Sequence, residues 1–173
     1  MLPTFNESGS IREVIQSLLR LETDHPLEIL VVDDDSRDGT PDLVRALARQ
    51  DPRIRIIQRV GRSGLASAIE EGLIAALYPT AAVLDSDGQH EPASVGKAVQ
   101  LLDREGLDLV AGSRFLDQSK IRGLSNQRTD GSTLANRVAR WSLPGPYRHL
   151  TDCMSGFIVL NLNRCLPLVR QVN

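Results

Sequence analysis

Three short apolar runs in the chain each end on residues able to hold a charged ligand. Glu28-Ile29-Leu30-Val31-Val32 leads into Asp33-Asp34-Asp35, Ala81-Ala82-Val83-Leu84 into Asp85-Ser86-Asp87, and Leu107 to Ala111 into Gly112-Ser113-Arg114. Asp85 and Asp87 are the sharpest pair. Two carboxylates one residue apart at a strand terminus can share a hard divalent cation, leaving its other positions to water and phosphate oxygens. The same Asp-x-Asp-Gly string equally suits a solvated turn in which Asp87-Gly88 supplies backbone geometry. His90, beside it, reads better as a turn-capping side chain than as a base or a metal ligand. Gly39, Gly61 and Gly64 form neither G-x-G-x-x-G nor G-x-x-x-x-G-K-[ST], so the dinucleotide and P-loop fingerprints are absent.

Strand ends of this kind converge when the strands lie in one mostly parallel sheet, where ligands bind outside the carboxyl ends at the point of strand-order reversal. The rest of the chain supplies the alternation that such a sheet needs. Ser10 stands as a cap before Ile11, Val14, Ile15, Leu18 and Leu19, whose spacing predicts an amphipathic helix. Thr40-Pro41 predicts a second helix with Thr as cap and Pro at its first position. Ile54 to Ile57 reads as a strand, Gly64 to Leu77 as an Ala-rich helix, Pro92 to Arg104 as another helix and Ser155 to Leu160 as a last strand. Leu116 to Asp130 is polar, with Lys120, Arg122 and Arg128, and reads as a long functional loop before a helix over Thr133 to Leu143. Strands alternating with helices predict an α/β fold.

Composition narrows the ligand. The chain has 173 residues, 20 Lys or Arg against 22 Asp or Glu, and a net charge of −2, so it lacks the excess positive charge of a nucleic-acid binder or polybasic membrane anchor. Its aromatic content of 3% offers no base-stacking platform. No nucleic-acid partner is expected, and an anionic ligand must be held by a few placed arginines. Cys153 and Cys165, separated by eleven residues, suit neither a disulfide scaffold nor a zinc site. There is no apolar run long enough to cross a bilayer and no basic, apolar leader, so the expectation is a soluble cytoplasmic chain.

Six strings carry a further reading: LPTFNE at Leu2 to Glu7, VVDDDSRDGT at Val31 to Thr40, GLASAIEEGL at Gly64 to Leu73, LDSDGQHEP at Leu84 to Pro92, GSRF at Gly112 to Phe115 and DCMSGF at Asp152 to Phe157. In order and spacing they resemble the family 2 inverting glycosyltransferases, in particular the dolichol-phosphate mannosyltransferase and polyprenyl-phosphate hexosyltransferase branch. The resemblance spans nearly the whole chain and favours the metal reading of Asp85 and Asp87 over the turn. It implies a GT-A, Rossmann-like three-layer sandwich, a nucleotide-sugar donor such as GDP-mannose or UDP-glucose, a polyprenyl- or dolichyl-phosphate acceptor, and Mg²⁺ or Mn²⁺. Such an acceptor would imply work at the cytoplasmic membrane face, by peripheral contact or through a membrane-anchoring partner.

Carried over by motif, Pro3, Phe5 and Glu7 fall where the family cradles base and ribose, with Val32 and Asp34 beside them. Asp85, Ser86, Asp87 and Gln89 match the metal- and donor-binding stretch, and Arg114 an arginine on the donor phosphates. Arg128 and Ser132 fall near the acceptor phosphate, and Asp152 matches an acid proposed as base. A cation on Asp85 and Asp87 would neutralise the diphosphate leaving group, and attack from the opposite face would invert the anomeric centre. A phosphate acceptor, with its second pKa near 6, leaves a base little to remove, which suits Asp152 better to orientation than to proton transfer. The bland readings are a turn cap for Asp152 and a solvated loop charge for Arg128.

The chain departs from the family pattern in places. Asp35 stands where Gly or Asn is usual and would add charge near a diphosphate unless it points away. Phe5 replaces a usual Tyr, Thr129-Asp130-Gly131 replace apolar residues after Arg128, and Ile158 stands where Arg is common. Met1 falls close to the end of the expected first strand and Asn173 soon after DCMSGF, so residues 1–173 are expected to be one catalytic domain shortened at both ends. A nucleotide-binding or interaction module of the same fold, without turnover, is therefore the main alternative. Two further rivals are a phosphoacceptor receiver domain, which would want a lysine at a strand end that Lys97 and Lys120 do not supply, and a dehalogenase-type phosphatase, whose loop would not carry Gln89.

Overall fold

The computed structural model describes residues 1–21, 26–88, 91–113, 151–152 and 155–169. The expected alternation is observed: β1 (Leu2–Thr4), α1 (Ile11–Leu19), β2 (Ile29–Asp33), α2 (Thr40–Ala48), β3 (Ile54–Gln58), α3 (Leu65–Ala75), β4 (Thr80–Val83), α4 (Ala93–Glu105), β5 (Leu109–Ala111), β6 (Ile158–Asn161) and α5 (Leu162–Val169). The loop and helix expected over 116–143 lie outside the described residues.

β1, β2 and β3 form a parallel sheet in the order β1-β2-β3, and β4, β6 and β5 a second sheet in the order β4-β6-β5. Two backbone bonds join them: the Met1 amino group donates to Ala82 O at 2.6 Å, and Leu84 N–H donates to Met1 O at 3.1 Å. Bonds flanking Val83 on both sides are the pattern of a parallel pair. The strands thus run 3-2-1-4-6-5, and the order reverses between β1 and β4. Among the described residues only β6 is antiparallel to its neighbours, so the described sheet is mostly parallel, as expected.

Alternation along β2 explains the layers. Ile29 and Val31 point to one face, where they pack with Ile11, Ile15 and Leu18 of α1, Val44 and Leu47 of α2, and Leu102 of α4. Leu30 and Val32 point to the other, under Ala68 of α3. Leu73 of α3 and Leu162 of α5 cover Val83 and Leu160 on that same side. Helices on both faces of a central sheet make the three-layer α/β sandwich.

Two capping expectations need correction. Ser10 occupies the N-cap of α1 but makes no side-chain cap bond. Its single hydroxyl proton is shared instead between Glu7 Oε2 at 2.8 Å and Ser86 O at 2.9 Å, so it joins two loops rather than closing its own helix. At α2 the N-cap is Gly39, at φ 91°, and Thr40 is already helical. The Asp38 carboxylate takes over the capping role by accepting the Thr40 N–H at 3.0 Å.

Candidate functional site

Strand-order reversal between β1 and β4 brings the residues after Thr4 beside those after Val83. Ser86 Oγ donates to Pro3 O at 3.1 Å, and Ser10 reaches Ser86 O from the other side, so the Asp85-Ser86-Asp87 loop is fastened to the loop after β1 by two hydroxyls. Ser86 is buried, Asp85 half-buried and Asp87 exposed. A cavity of about 350 Å³ opens between α1 and this loop, lined among others by Ser10, Glu13, Asp85, Asp87 and Gly88. That volume is within the range of small-molecule sites.

The loops after β1 and β2 are one unit. Three consecutive backbone N–H groups, of Asn6, Glu7 and Ser8, donate to Ser36 Oγ at 2.8 Å, Thr40 Oγ1 at 3.0 Å and Asp38 Oδ2 at 2.9 Å. Thr40 Oγ1 in turn donates to Asp38 Oδ1 at 2.6 Å. These bonds hold the Asp38 carboxyl well below the usual carboxylate range, the Thr40 hydroxyl contributing most. The polar residues of SRDGT are thus accounted for: they replace the strand ladder where β1 has ended.

Asp35 resolves in the same way. It lies at φ 60°, a left-handed conformation that Gly and Asn adopt readily and Asp tolerates. Its Oδ2 accepts the Gly61 N–H at 3.4 Å, toward the turn after β3. Asp33 is fully buried; its Oδ1 accepts the Ser36 N–H at 3.0 Å, and its Oδ2 has no hydrogen-bond partner.

The far side of the site comes from the last described strand. A Cβ on Gly156 would overlap the Asp85 carboxylate, with Oδ2 nearest and Oδ1 at 2.6 Å, so the glycine of SGF is there because Asp85 fills the space a side chain would need. One residue on, the Phe157 ring does the same to Gly112, whose Cβ would lie 2.6 Å from Cδ1, while Gly112 N–H donates to Phe157 O at 2.9 Å. Thr151 Oγ1 donates to Ser113 Oγ at 2.8 Å beside the buried Asp152. Asp85 is thus brought against Gly156, Gly112 against Phe157 and Ser113 against Thr151, so the described parts of these strings meet at one end of the sheet.

Of the sequence-derived site residues, Pro3, Glu7, Asp34, Asp85, Ser86, Asp87 and Asp152 sit at these strand ends or in their loops. Phe5 stands there 60% exposed, an open aromatic face. Val32 is fully buried within β2 under α3, so its side chain supports the loop from beneath. Ile158 pairs with Val83 and Ala111 inside the sheet. Gln89, His90, Arg114, Arg128 and Ser132 lie outside the described residues. Among the described residues no three His, Cys, Asp or Glu converge as a metal cage. Two carboxylates suit a cation that keeps waters and substrate phosphates in its shell.

Arg59 was not singled out from the sequence. Asp33 pairs with Gln58, so the next residue on β3 falls beside Asp34. There Arg59, 2% exposed, ion-pairs with Asp34 and Glu71. A basic residue directly after an apolar strand that must pair with an acid-tipped one was the available signal.

The strand order excludes a receiver domain, whose sheet runs 2-1-3-4-5. The profile described as glycosyl transferase family 2 matches residues 1–160. A dolichol-phosphate mannosyltransferase of Pyrococcus furiosus is 32% identical over 160 residues, covering 92% of this chain and 45% of that protein. A polyprenol monophosphomannose synthase of Mycolicibacterium smegmatis is 32% identical over 148 residues, covering 83% and 54%. The chain thus spans about half the length of these curated relatives. Among solved structures, the mannosyltransferase PcManGT from Pyrobaculum calidifontis superposes with a TM-score of 0.63 at 24% identity, over 96% of this chain and 45% of that one, and has the same fold. No helix among the described residues is long and apolar enough to cross a membrane. Sheet order, the joined acidic loops and the profile match agree: the chain belongs to glycosyl transferase family 2.

Proposed function

We propose that this chain carries the donor site of an inverting hexosyltransferase that moves mannose from GDP-mannose to a polyprenyl phosphate. The observation that carries the reading is the closure of the Asp85-Ser86-Asp87 loop between the loop after β1 and Gly156, which places two carboxylates at the strand-order reversal. The sugar follows from the relatives, two of which are named for mannose transfer to polyprenol-type acceptors, while the solved PcManGT holds GDP-Man and Mn²⁺. UDP-glucose is the competing donor.

Asp85 and Asp87, with Gln89 after them, would hold a Mg²⁺ or Mn²⁺ ion. Bound there, the ion supplies charge neutralisation to a diphosphate leaving group. The chain's own residues do the rest. Ser86 and Ser10 fix the acidic loop, Phe5 offers its open face to the base, and Asp34 and Glu7 offer acceptors to base and ribose. Arg114 is assigned to the donor phosphates and Arg128 and Ser132 to the acceptor phosphate. Asp152, buried beside the Thr151–Ser113 bond, is assigned to orienting the acceptor rather than to taking a proton, since a phosphate nucleophile is already largely ionised at neutral pH. A lipid acceptor would imply work at the cytoplasmic membrane face, by peripheral contact or through a partner subunit.

The test is calorimetric titration with GDP-mannose and UDP-glucose, with and without Mn²⁺, on the chain and on Asp87→Ala, followed by transfer to polyprenyl phosphate. Metal-dependent binding of GDP-mannose that Asp87→Ala abolishes is expected. Metal-independent affinity, equal in the variant, refutes the site. Binding without transfer refutes turnover by this chain and leaves a nucleotide-binding module.

A further inference from the structure

Behind the acidic loop after β2 lies a cluster of charges more elaborate than packing requires. Arg59 donates through Nη1 to Asp34 Oδ1 and, at 3.2 Å, to Gly64 O; through Nη2 to Ser67 Oγ at 2.5 Å; and through Nε to Glu71 Oε2 at 3.2 Å. The Gly64 N–H donates to the other Asp34 oxygen at 2.7 Å. Arg62 pairs with Glu71 from outside at 3.1 Å, so two guanidiniums balance two carboxylates. The Asp34 side chain nevertheless keeps 11% of its surface open, while that of Arg59 keeps 3%.

Burying such charges is not an efficient route to stability, because apolar residues of similar volume often do as well or better. The arrangement instead fixes a direction. A guanidinium is a rigid planar fork, and anchored to Ser67, Gly64 and Glu71 it sets where its remaining N–H points, which an ammonium on a flexible stem cannot do. With Oδ1 held by Arg59 and Oδ2 by the Gly64 amide, the plane of the Asp34 carboxylate is set, and so are the lone pairs left on its open edge.

Resting on the reading that a nucleoside diphosphate binds at these strand ends, we propose that Arg59 is a positioning residue for base recognition. It aims the open edge of Asp34 at the base, so the site favours a base whose ring nitrogen carries a hydrogen. Guanine and uracil present that N–H. Adenine and cytosine present an acceptor nitrogen at the same edge, which a carboxylate, itself only an acceptor, repels.

The experiment is a double-mutant cycle on the full chain. Affinities for GDP, ADP, UDP and CDP are measured by calorimetry with Mn²⁺ for the wild type, Arg59→Lys, Asp34→Asn and the double variant, with circular dichroism and Tm recorded for each. Arg59→Lys keeps the charge and loses the fork. It is expected to reduce the GDP-to-ADP or UDP-to-CDP preference about tenfold, the size of a lost hydrogen bond to a charged group. Asp34→Asn is expected to do the same, and Arg59→Lys should add nothing in its presence. A folded Arg59→Lys with the wild-type preference, or losses that multiply in the double variant, overturns the proposal. Should Arg59→Lys fail to fold, Ser67→Ala removes one anchor without touching the charges, and an unchanged preference there overturns it equally. Wild-type binding without base preference refutes the role of Arg59 alone. Absence of binding to all four nucleotides refutes the donor site, and this inference with it.

Discussion

Gly156→Ala separates the site from the fold. A methyl group at this position meets only the Asp85 carboxylate within its three nearest neighbours. Even the farther oxygen, at 2.6 Å, must recede by about 0.8 Å to reach an ordinary contact of 3.4 Å, and the nearer one by more. Asp has two rotatable bonds and Asp85 is half-buried, so the carboxylate can swing to another staggered rotamer. The cost to the fold is then small, about 1 kcal/mol, or a fall in Tm of about 2 to 4 °C for a chain of this length. The cost to ligand binding is not small. A metal ligand is useful only within about 0.2 Å of its place, and losing its orientation costs up to about a hundredfold in metal affinity. A hundredfold is about 2.7 kcal/mol. The assay is titration of Mn²⁺ and GDP-mannose against wild type, Gly156→Ala, Asp85→Ala and the double variant, with Tm as the control for folding. The expected result is a roughly hundredfold loss for Gly156→Ala that disappears in the Asp85→Ala background. A folded Gly156→Ala with unaltered metal-dependent affinity would show that the Asp85 carboxylate, wherever it points, does not hold the donor.

Two further substitutions test the scaffold. Asp38→Ala removes the acceptor of the Thr40 hydroxyl and of the Ser8 and Thr40 amides, and is expected to lower Tm by about 2 °C at pH 7, the effect of a lost cap. Because the folded Asp38 titrates below its unfolded value, the wild-type advantage should be full above about pH 4 and shrink as pH falls further, a Tm-against-pH series being the check. An advantage that grows on acidification would contradict the assigned hydrogen bonds. Gly96→Ala places a methyl group in open space inside α4 and should stabilise by about 0.5 to 1 kcal/mol, read as a higher denaturant midpoint at constant slope.

Much of the architecture was legible because the strand runs are apolar and β-branched and the helices periodic. What escaped has identifiable causes. α5 carries Leu162, Cys165, Leu166 and Val169 at helical spacing, all packed in one cluster, yet Pro167 within it masks the pattern. Ser10 has the sequence signature of a helix cap, but its hydroxyl is drawn to Ser86, seventy-six residues away, a competition that no local rule contains. In the site, spacing marked Asp85 and Asp87 at a strand end, and the structure has them in the loop after β4 beside the loop after β1. Arg59 was not marked, because its meaning depends on the register between β2 and β3. Asp35 illustrates the reverse: the left-handed backbone sends its carboxylate to the Gly61 amide after β3, a direction that composition cannot express.

The place of β6 has a consequence for how the molecule comes into being. β4 and β5 both pair with β6 and lie on either side of it, so the chain must leave a vacancy between two strands made earlier and fill it with residues 158–161. On a ribosome the first five strands emerge before their sixth, and Gly156 arrives with it. Until then the two strands beside the vacancy show bare edges, open to pairing with another chain. The donor site should therefore mature only once residues 156–161 have emerged, and nascent chains halted before Ile158 should need holding by chaperones.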